Sequence, residues 1–319
     1  MNETQIEWVK NPDCSQGYTH NPLSGCENHT PEGLCLDGLF PCYAYKLAHT
    51  RLKQRYLAND NFAPVAREQD GTIDLKAYGE ASTDPFYPRF WEERCLDLTT
   101  RRMRKHWREP RGIFVCDMGD LFGNAIPKIW QERVFDAIER HPHDRFYLLT
   151  KQPQNLIKWS PFPENCWVGV TVCNADMFLP ATDALDSIEA TKKYISFEPL
   201  LENPAEFCEQ WSEDLNATID WLIIGACTGT HEELWKLCKR YPDLTIRLFG
   251  NKWTAQPKIE WLQEIVEAAD KAGLPVFLKD NLKPLLIAHP DCWDDIPQGD
   301  HPNCESIAML RQEMPETGP

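Results

Sequence analysis

Six stretches of the chain are almost continuously apolar: IFVCDMGD (113–120), RFYLLTK (145–151), CWVGVTV (166–172), KYISFEPLL (193–201), WLIIGACTG (221–229) and PVFLKD (275–280). Each is short and rich in β-branched, aromatic or leucine residues. None alternates as a half-solvated strand would, so they read as parallel strands covered on both faces. Between them, PKIWQERVFDAIERH (127–141) and IEWLQEIVEAADKAG (259–273) repeat apolar residues at helical spacing, and the second runs into Gly273 and Pro275, a helix stop. Strand–helix alternation predicts a parallel sheet with crossover helices. Adding YTHNPL (18–23) and PFYPRF (85–90) brings the strand count to about eight, the number in a closed (β/α) barrel. Such a barrel usually takes ~250 residues, and 319 leave room for additions. The expected fold is therefore α/β, a TIM-type (β/α) barrel, full or partial, spanning 1–286 as one domain. The stretch 287–319, rich in Pro, Asp and Glu, is expected to be an irregular C-terminal extension. An open doubly wound sheet is the rival. No G-x-G-x-x-G follows an early strand, and GACTGT (225–230) is not that fingerprint.

Composition narrows the classes. Hydrophobic residues at 42% suffice for a sizeable core, and no stretch approaches the ~20 apolar residues needed to span a bilayer. The start, MNETQIEWVK, offers no apolar signal region, so the expectation is a cytoplasmic chain whose 13 cysteines are reduced thiols rather than a disulfide framework. A net charge of -16 argues against a uniformly basic nucleic-acid surface. Two local clusters run against it: Arg101, Arg102, Arg104, Lys105, Arg108 and Arg111 around Trp107, and Lys46, Arg51, Lys53 and Arg55. They read either as phosphate contacts to a nucleic acid or as solvated helix faces.

The most specific chemistry lies in GCENHTPEGLCLDGLFPCYAYKLA, a loop over 26–42. Cys26, Cys35 and Cys42 are spaced C-x8-C-x6-C, with Gly25, Gly33, Gly38 and Pro41 bending the backbone between them. Such a loop can aim three thiols at one centre, as an iron–sulfur cluster or a zinc ion requires. Three thiolates leave one iron of a [4Fe–4S] cluster open. With Cys14 or His29 as fourth ligand the same residues would instead make a closed zinc site in a binding module without catalysis. Cys116, Cys173 and Cys227 in strand-like runs read as small buried core residues, as do Cys95, Cys166, Cys208, Cys238, Cys292 and Cys304.

Polar residues at strand ends make a second pattern. Asp117 and Asp120 close the first clear run, Lys151 the second, Thr171 and Thr228 two others; Glu198 precedes Pro199, and Lys279, Asp280 and Asn281 follow the last. In a barrel these positions form the rim where active sites lie. No G-x-S-x-G or H-E-x-x-H occurs, which sets a plain hydrolase aside.

The order YTHNPLSGC, FPCYAYKLA, IFVCDMGDLFG, YLLTKQP, WVGVTV, ISFEPLL, WLIIGA and VFLKDNL, from Thr19 to Asn281, resembles a phage- and prokaryote-associated family of unknown function. That family in turn resembles the radical S-adenosylmethionine superfamily. The resemblance implies a (β/α) barrel, a [4Fe–4S] cluster on Cys26, Cys35 and Cys42, and S-adenosylmethionine at the open iron. Cleavage of that cofactor would give a 5′-deoxyadenosyl radical acting on a substrate that the family does not supply. Tyr43 matches the family's C-Y-A. We place Tyr43, Thr171, Glu198 and Lys279 around the cofactor, and Lys151, Asp117 and Asp120 with the substrate. The sequence departs from the superfamily's C-x3-C-x2-C: the gaps are eight and six, and Pro41 stands where an aromatic precedes the third cysteine, with Phe40 one position earlier.

Overall fold

The computed structural model describes residues 1–65, 67, 72–99, 109–204, 218–288 and 310–316. The chain divides into two compact units. Unit 1 takes Met1–Gln5, Val9–Asn155 and Pro163–Cys166; unit 2 takes Ile6–Trp8, Leu156–Phe162 and Trp167–Pro319.

Unit 1 is built on β2 (Tyr18–His20), β7 (Gly112–Val115) and β8 (Arg145–Thr150), which are parallel in that order, with β1 (Asn2–Glu3) antiparallel outside β2. All four residues of β7 are buried, as a continuous apolar run demands of a strand covered on both faces. The predicted helix over 127–141 is α5 (Lys128–Glu139), which turns Trp130, Val134, Phe135, Ala137 and Ile138 inward. At the foot of β7 and β8, Arg111 is buried and paired with Asp144, its Nε donating at 3.0 Å to both carboxylate oxygens. Arg111 is thereby removed from the phosphate-contacting run predicted for it; Arg101 to Arg108 lie outside the described residues. The second basic cluster stays exposed on α1 (Tyr43–His49) and on α2 (Lys53–Leu57) with the turn before it.

The run PFYPRF does not supply a parallel strand. Bracketed by Pro85 and Pro88, it yields only β6 (Arg89–Phe90), antiparallel to β3 (Leu23–Ser24). A second small pair, β4 (Leu34–Cys35) with β5 (Phe40–Pro41), closes over a 3₁₀ turn at Leu36–Gly38. Two more helices, α3 (Leu75–Thr83) and α4 (Glu92–Thr99), flank this region.

Unit 2 sets β9 (Cys166–Thr171), β10 (Lys192–Phe197), β11 (Trp221–Ile224) and β15 (Val276–Leu278) side by side, all parallel. Trp221 is fully buried among Trp8, Tyr194, Trp167 and Phe277. Seven of the eight predicted runs thus lie in parallel sets, three in unit 1 and four in unit 2. Neither set closes on itself within its unit. The α/β class is as the pattern predicts.

Three features of unit 2 were not legible in the pattern. β11 stops at Ile224, and Cys227–Gly229 (β12) turns into an antiparallel sheet with β14 (Lys252–Gln256) and β13 (Thr245–Phe249). The β13–β14 hairpin is half-solvated and so lacks the continuous apolar signature used to find strands. After α6 (Phe178–Asp186), α7 (His231–Arg240) and α8 (Ile259–Ala272), the chain makes α9 (Lys283–Ala288). Residues 311–313 then run along β15: Leu278 N–H donates to the Arg311 carbonyl (2.8 Å) and Glu313 N–H to that of Val276 (3.0 Å). Among the described residues, no helix is long and apolar enough to cross a membrane.

Candidate functional site

The cysteine loop is positioned by backbone before any side chain enters. Gly25 adopts φ +88°, a conformation that favours glycine, and its N–H donates to the Met118 carbonyl at 2.8 Å. A Cβ there would fall 2.4 Å from the Phe86 carbonyl oxygen and 2.6 Å from that of Tyr87. The next residue, Cys26, donates its N–H to Phe86 O at 3.0 Å. The Phe86 segment is in turn held by Arg89, almost wholly buried, whose guanidinium donates to five backbone carbonyls: Asn59, Asp84, Tyr87, Ala81 and Ser82. Cys35 ends β4, and Cys42 follows β5 as the N-cap of α1, its sulfur accepting from Tyr45 N–H at 3.5 Å.

Cys35 and Cys42 lie within hydrogen-bond reach of each other, and Cys26 is near enough for their charges to act on it. The Cys35 thiol donates to the Cys42 sulfur, and that bond is the main reason Cys42 is pulled down to about 6, against the effect of burial, with the Tyr45 amide and Lys151 assisting. The donor, Cys35, is pushed well above the ordinary thiol value by the same bond and then by burial. Burial pushes Cys26 up to about 12. Lys151 favours the ionised form of all three. Apart from a metal, one sulfur is ready to ionise and two are not; cationic metal would draw the remaining protons off. The donor set fits an iron–sulfur cluster in its chemistry. Among the described residues, no group of three or more His, Cys, Asp and Glu side chains is arranged to hold a single metal ion. Cys14 lies exposed in the turn at 11–15, and His29 sits between Tyr45 and Phe86 with Nδ1 2.9 Å from the Thr30 carbonyl.

A cavity of about 280 Å³ opens beside Cys26, lined also by Asp120, Asn124, Lys151 and Gln152. Asp120 is buried and its carboxylate is already occupied, accepting from Thr150 Oγ1 (2.8 and 2.9 Å), Phe122 N–H (3.0 Å) and Lys151 N–H (3.2 Å). Burial raises its pKa and these bonds counter it. It ties the turn after β7 to the end of β8. Asp117 accepts from Asn21 Nδ2 at 2.6 Å, while Asn21 Oδ1 takes the Met118 N–H at 3.0 Å and the Tyr43 hydroxyl donates to the Asp117 carbonyl. Asn21 and Arg89 carry no motif, because Asn21 reaches Asp117 and Met118 on a distant strand end and Arg89 binds carbonyls, which every residue type bears.

In unit 2 the predicted strand-end residues form a separate constellation. Lys279 pairs with Glu198 and lies 3.6 Å from Glu7, a residue that no motif singles out. Burial alone would pull Lys279 down; the two carboxylates outweigh it and hold the ammonium above its ordinary value. Gly225 lets them approach, since a Cβ there would lie 3.0 Å from Lys279 Cδ and 3.3 Å from Glu198 Cγ. Asn281 braces the same turn, exchanging hydrogen bonds with Ala226 N–H (3.0 Å) and C=O (2.8 Å). Thr171 and its register partner Ser196 are buried, and neither hydroxyl has a hydrogen-bond partner among the described residues.

Residues 3–237 match the family described as "Protein of unknown function (DUF5131)", and the chain belongs to that family. A comparison with curated proteins gives no match. Among solved structures, the chain is similar to spore photoproduct lyase complexed with dinucleoside spore photoproduct: 11% identity, TM-score 0.49, covering 85% of this chain and 78% of that one. It is also similar to a doubly substituted mutant of that lyase with bound AdoMet and dinucleoside spore photoproduct (11%, TM-score 0.47, 85% and 77%). A cysteine-to-serine mutant of the same lyase is similar to the same degree (11%, TM-score 0.48, 88% and 80%).

Proposed function

We propose that this protein is a radical-S-adenosylmethionine-like iron–sulfur enzyme of the (β/α) barrel class, full or partial, acting on an unidentified substrate, nucleic acid or nucleotide being the candidate class. The observation that carries the reading is the contact of Cys35 with Cys42, with Cys26 in their electrostatic reach and lining a cavity together with Lys151. Those three residues would hold the cluster, which supplies reductive cleavage of S-adenosylmethionine when both are bound. The chain's own contribution is positional. Asp120 and Asn21 fix the two turns that face the loop, Tyr43 anchors α1 to the Asp117 carbonyl, and Lys151 presents positive charge toward the thiols and the cavity. In unit 2, Glu198, with Lys279 beside it, is assigned to the ammonium or hydroxyl groups of a ligand.

Electron paramagnetic resonance on anaerobically reconstituted, dithionite-reduced protein tests this. The expected result is a [4Fe–4S]⁺ signal that changes shape on adding S-adenosylmethionine and vanishes in Cys26→Ala, Cys35→Ala and Cys42→Ala. Stoichiometric zinc with no cluster signal would replace the proposal with a zinc-stabilised binding module.

A further inference from the structure

On the β13–β14 hairpin and α7 of unit 2, large apolar side chains that the fold does not bury stand in line with cations. Trp253 is 36% exposed and its register partner Leu248 is 56% exposed. The ring of His231, the first residue of α7, packs edge-on to Trp253 with centroids 4.9 Å apart. One helical turn further on, Trp235 is 49% exposed, and one turn beyond that the Lys239 ammonium lies 3.4 Å from the Trp235 ring centroid. Leu248, Trp253, His231, Trp235 and Lys239 therefore make one strip, with the underside of α7 secured by buried Leu234 and Leu237.

Charge around the strip is opposite to that of the chain. On α7, Lys239 and Arg240 stand beside it while Lys236 is paired with Glu232 at 2.7 Å, and Lys252 lies at the hairpin end on the other face from Trp253, in a protein whose net charge is -16. Glu233 is turned to the helix start, where its carboxylate accepts from Thr230 N–H at 2.6 Å in a capping box. Flat rings set among cations on an acidic protein match a flat-faced polyanion: stacking takes the bases and the ammonium groups take the phosphates. A second protein would match the apolar positions but gives the cations no role.

We propose that the α7–hairpin strip is a docking surface for single-stranded nucleic acid, read by stacking on Trp235 and Trp253 rather than by base sequence. The surface does not depend on the cysteine loop, so it stands or falls apart from the iron–sulfur reading.

Fluorescence anisotropy of the full chain with labelled oligo(dT) at low salt tests it, run on cluster-free protein and again after reconstitution. Binding is expected in both, weakening about tenfold for Trp235→Ala and for Trp253→Ala. Lys239→Gln should lower the slope of log K against log salt by about 0.7. Leu179→Ala, which removes an exposed apolar side chain elsewhere in unit 2, should leave binding unchanged. Circular dichroism melts establish that each variant is folded; the double substitution Trp235→His with Trp253→His, which keeps a smaller ring, should bind with intermediate affinity. No binding by the parent, equal affinity for duplex and single strand, or binding untouched by both tryptophan changes would overturn the proposal, the first leaving a protein partner for the strip.

Discussion

The cysteine loop of unit 1 and the Lys279 cluster of unit 2 bring reactive groups together by opposite means. Around Cys26 the scaffold is backbone: Gly25 threads against the Phe86 and Met118 carbonyls, and Arg89 gathers five carbonyls behind them. The polar side chains nearby, Asp120 and Asn21, are consumed in holding turns, and the sulfurs remain for a ligand. Around Lys279 the side chains hold one another, a cation between two carboxylates, while elsewhere in unit 2 buried hydroxyls such as those of Thr171 and Ser196 have no partner among the described residues. A site made by backbone tolerates little change in its supports. A site made by mutual side-chain pairing loses its balance when one member goes.

The largest test is Arg89→Met. Five backbone carbonyls lose a charged donor, and we expect destabilisation of about 3–5 kcal/mol together with loss of iron uptake, read by urea denaturation and iron analysis. Full stability in that variant would show that the loop does not depend on its backing. Lys279→Met leaves Glu198 and Glu7 facing each other. Both are partly exposed, so solvent discounts the penalty to about 1–3 kcal/mol, which Lys279→Arg should restore only in part. Iron uptake should survive Lys279→Met, and its loss would break the separation drawn between the two regions.

The third test uses pH. His20, on β2, is buried and held down to about 3, mainly by burial, against an ordinary 6.5. Between those values the unfolded chain binds a proton that the folded chain refuses, so stability falls as pH drops below about 6.5, by up to about 1.4 kcal/mol per unit. His20→Leu should flatten that slope, and denaturation midpoints at pH 7 and pH 5 that shift equally in both proteins would contradict it. The smallest effect is at Thr171. Replacing its unpartnered hydroxyl with a methyl in Thr171→Val is expected to raise stability by about 1 kcal/mol. A destabilised variant would mean that the hydroxyl has a partner in solution.

The fold's parallel strands were legible because burial on both faces leaves an unbroken apolar run, and β7 and β9 are clear instances. The β13–β14 hairpin was not, since its solvated residues dilute the same signal. The three cysteines stand out by their surroundings of glycine, proline and polar residues, and their role as cluster ligands is a proposal. Asp120 was read as a substrate-facing carboxylate, a proposal still to be tested, and the structure finds it filled by hydrogen bonds from Thr150, Lys151 and Phe122. Arg111 was grouped with its basic neighbours in sequence, while its partner Asp144 stands 33 residues away. What a polar residue does depends on which backbone groups fold over it, and spacing along the chain does not encode that.

The segmentation of the two units orders events on the ribosome. Every residue of unit 1 has been synthesised once Cys166 emerges, so its strands and the cysteine loop can form while unit 2 is still being translated. Unit 2 needs Trp8 from the beginning of the chain to pack on Trp221, and Arg311 and Glu313 from near its end to line β15, with Arg311 pairing with Asp270. Trp8 therefore waits for Tyr194 and Trp221, and a nascent chain stalled with Cys166 just clear of the ribosome should present a formed unit 1 with the indole of Trp8 still in water.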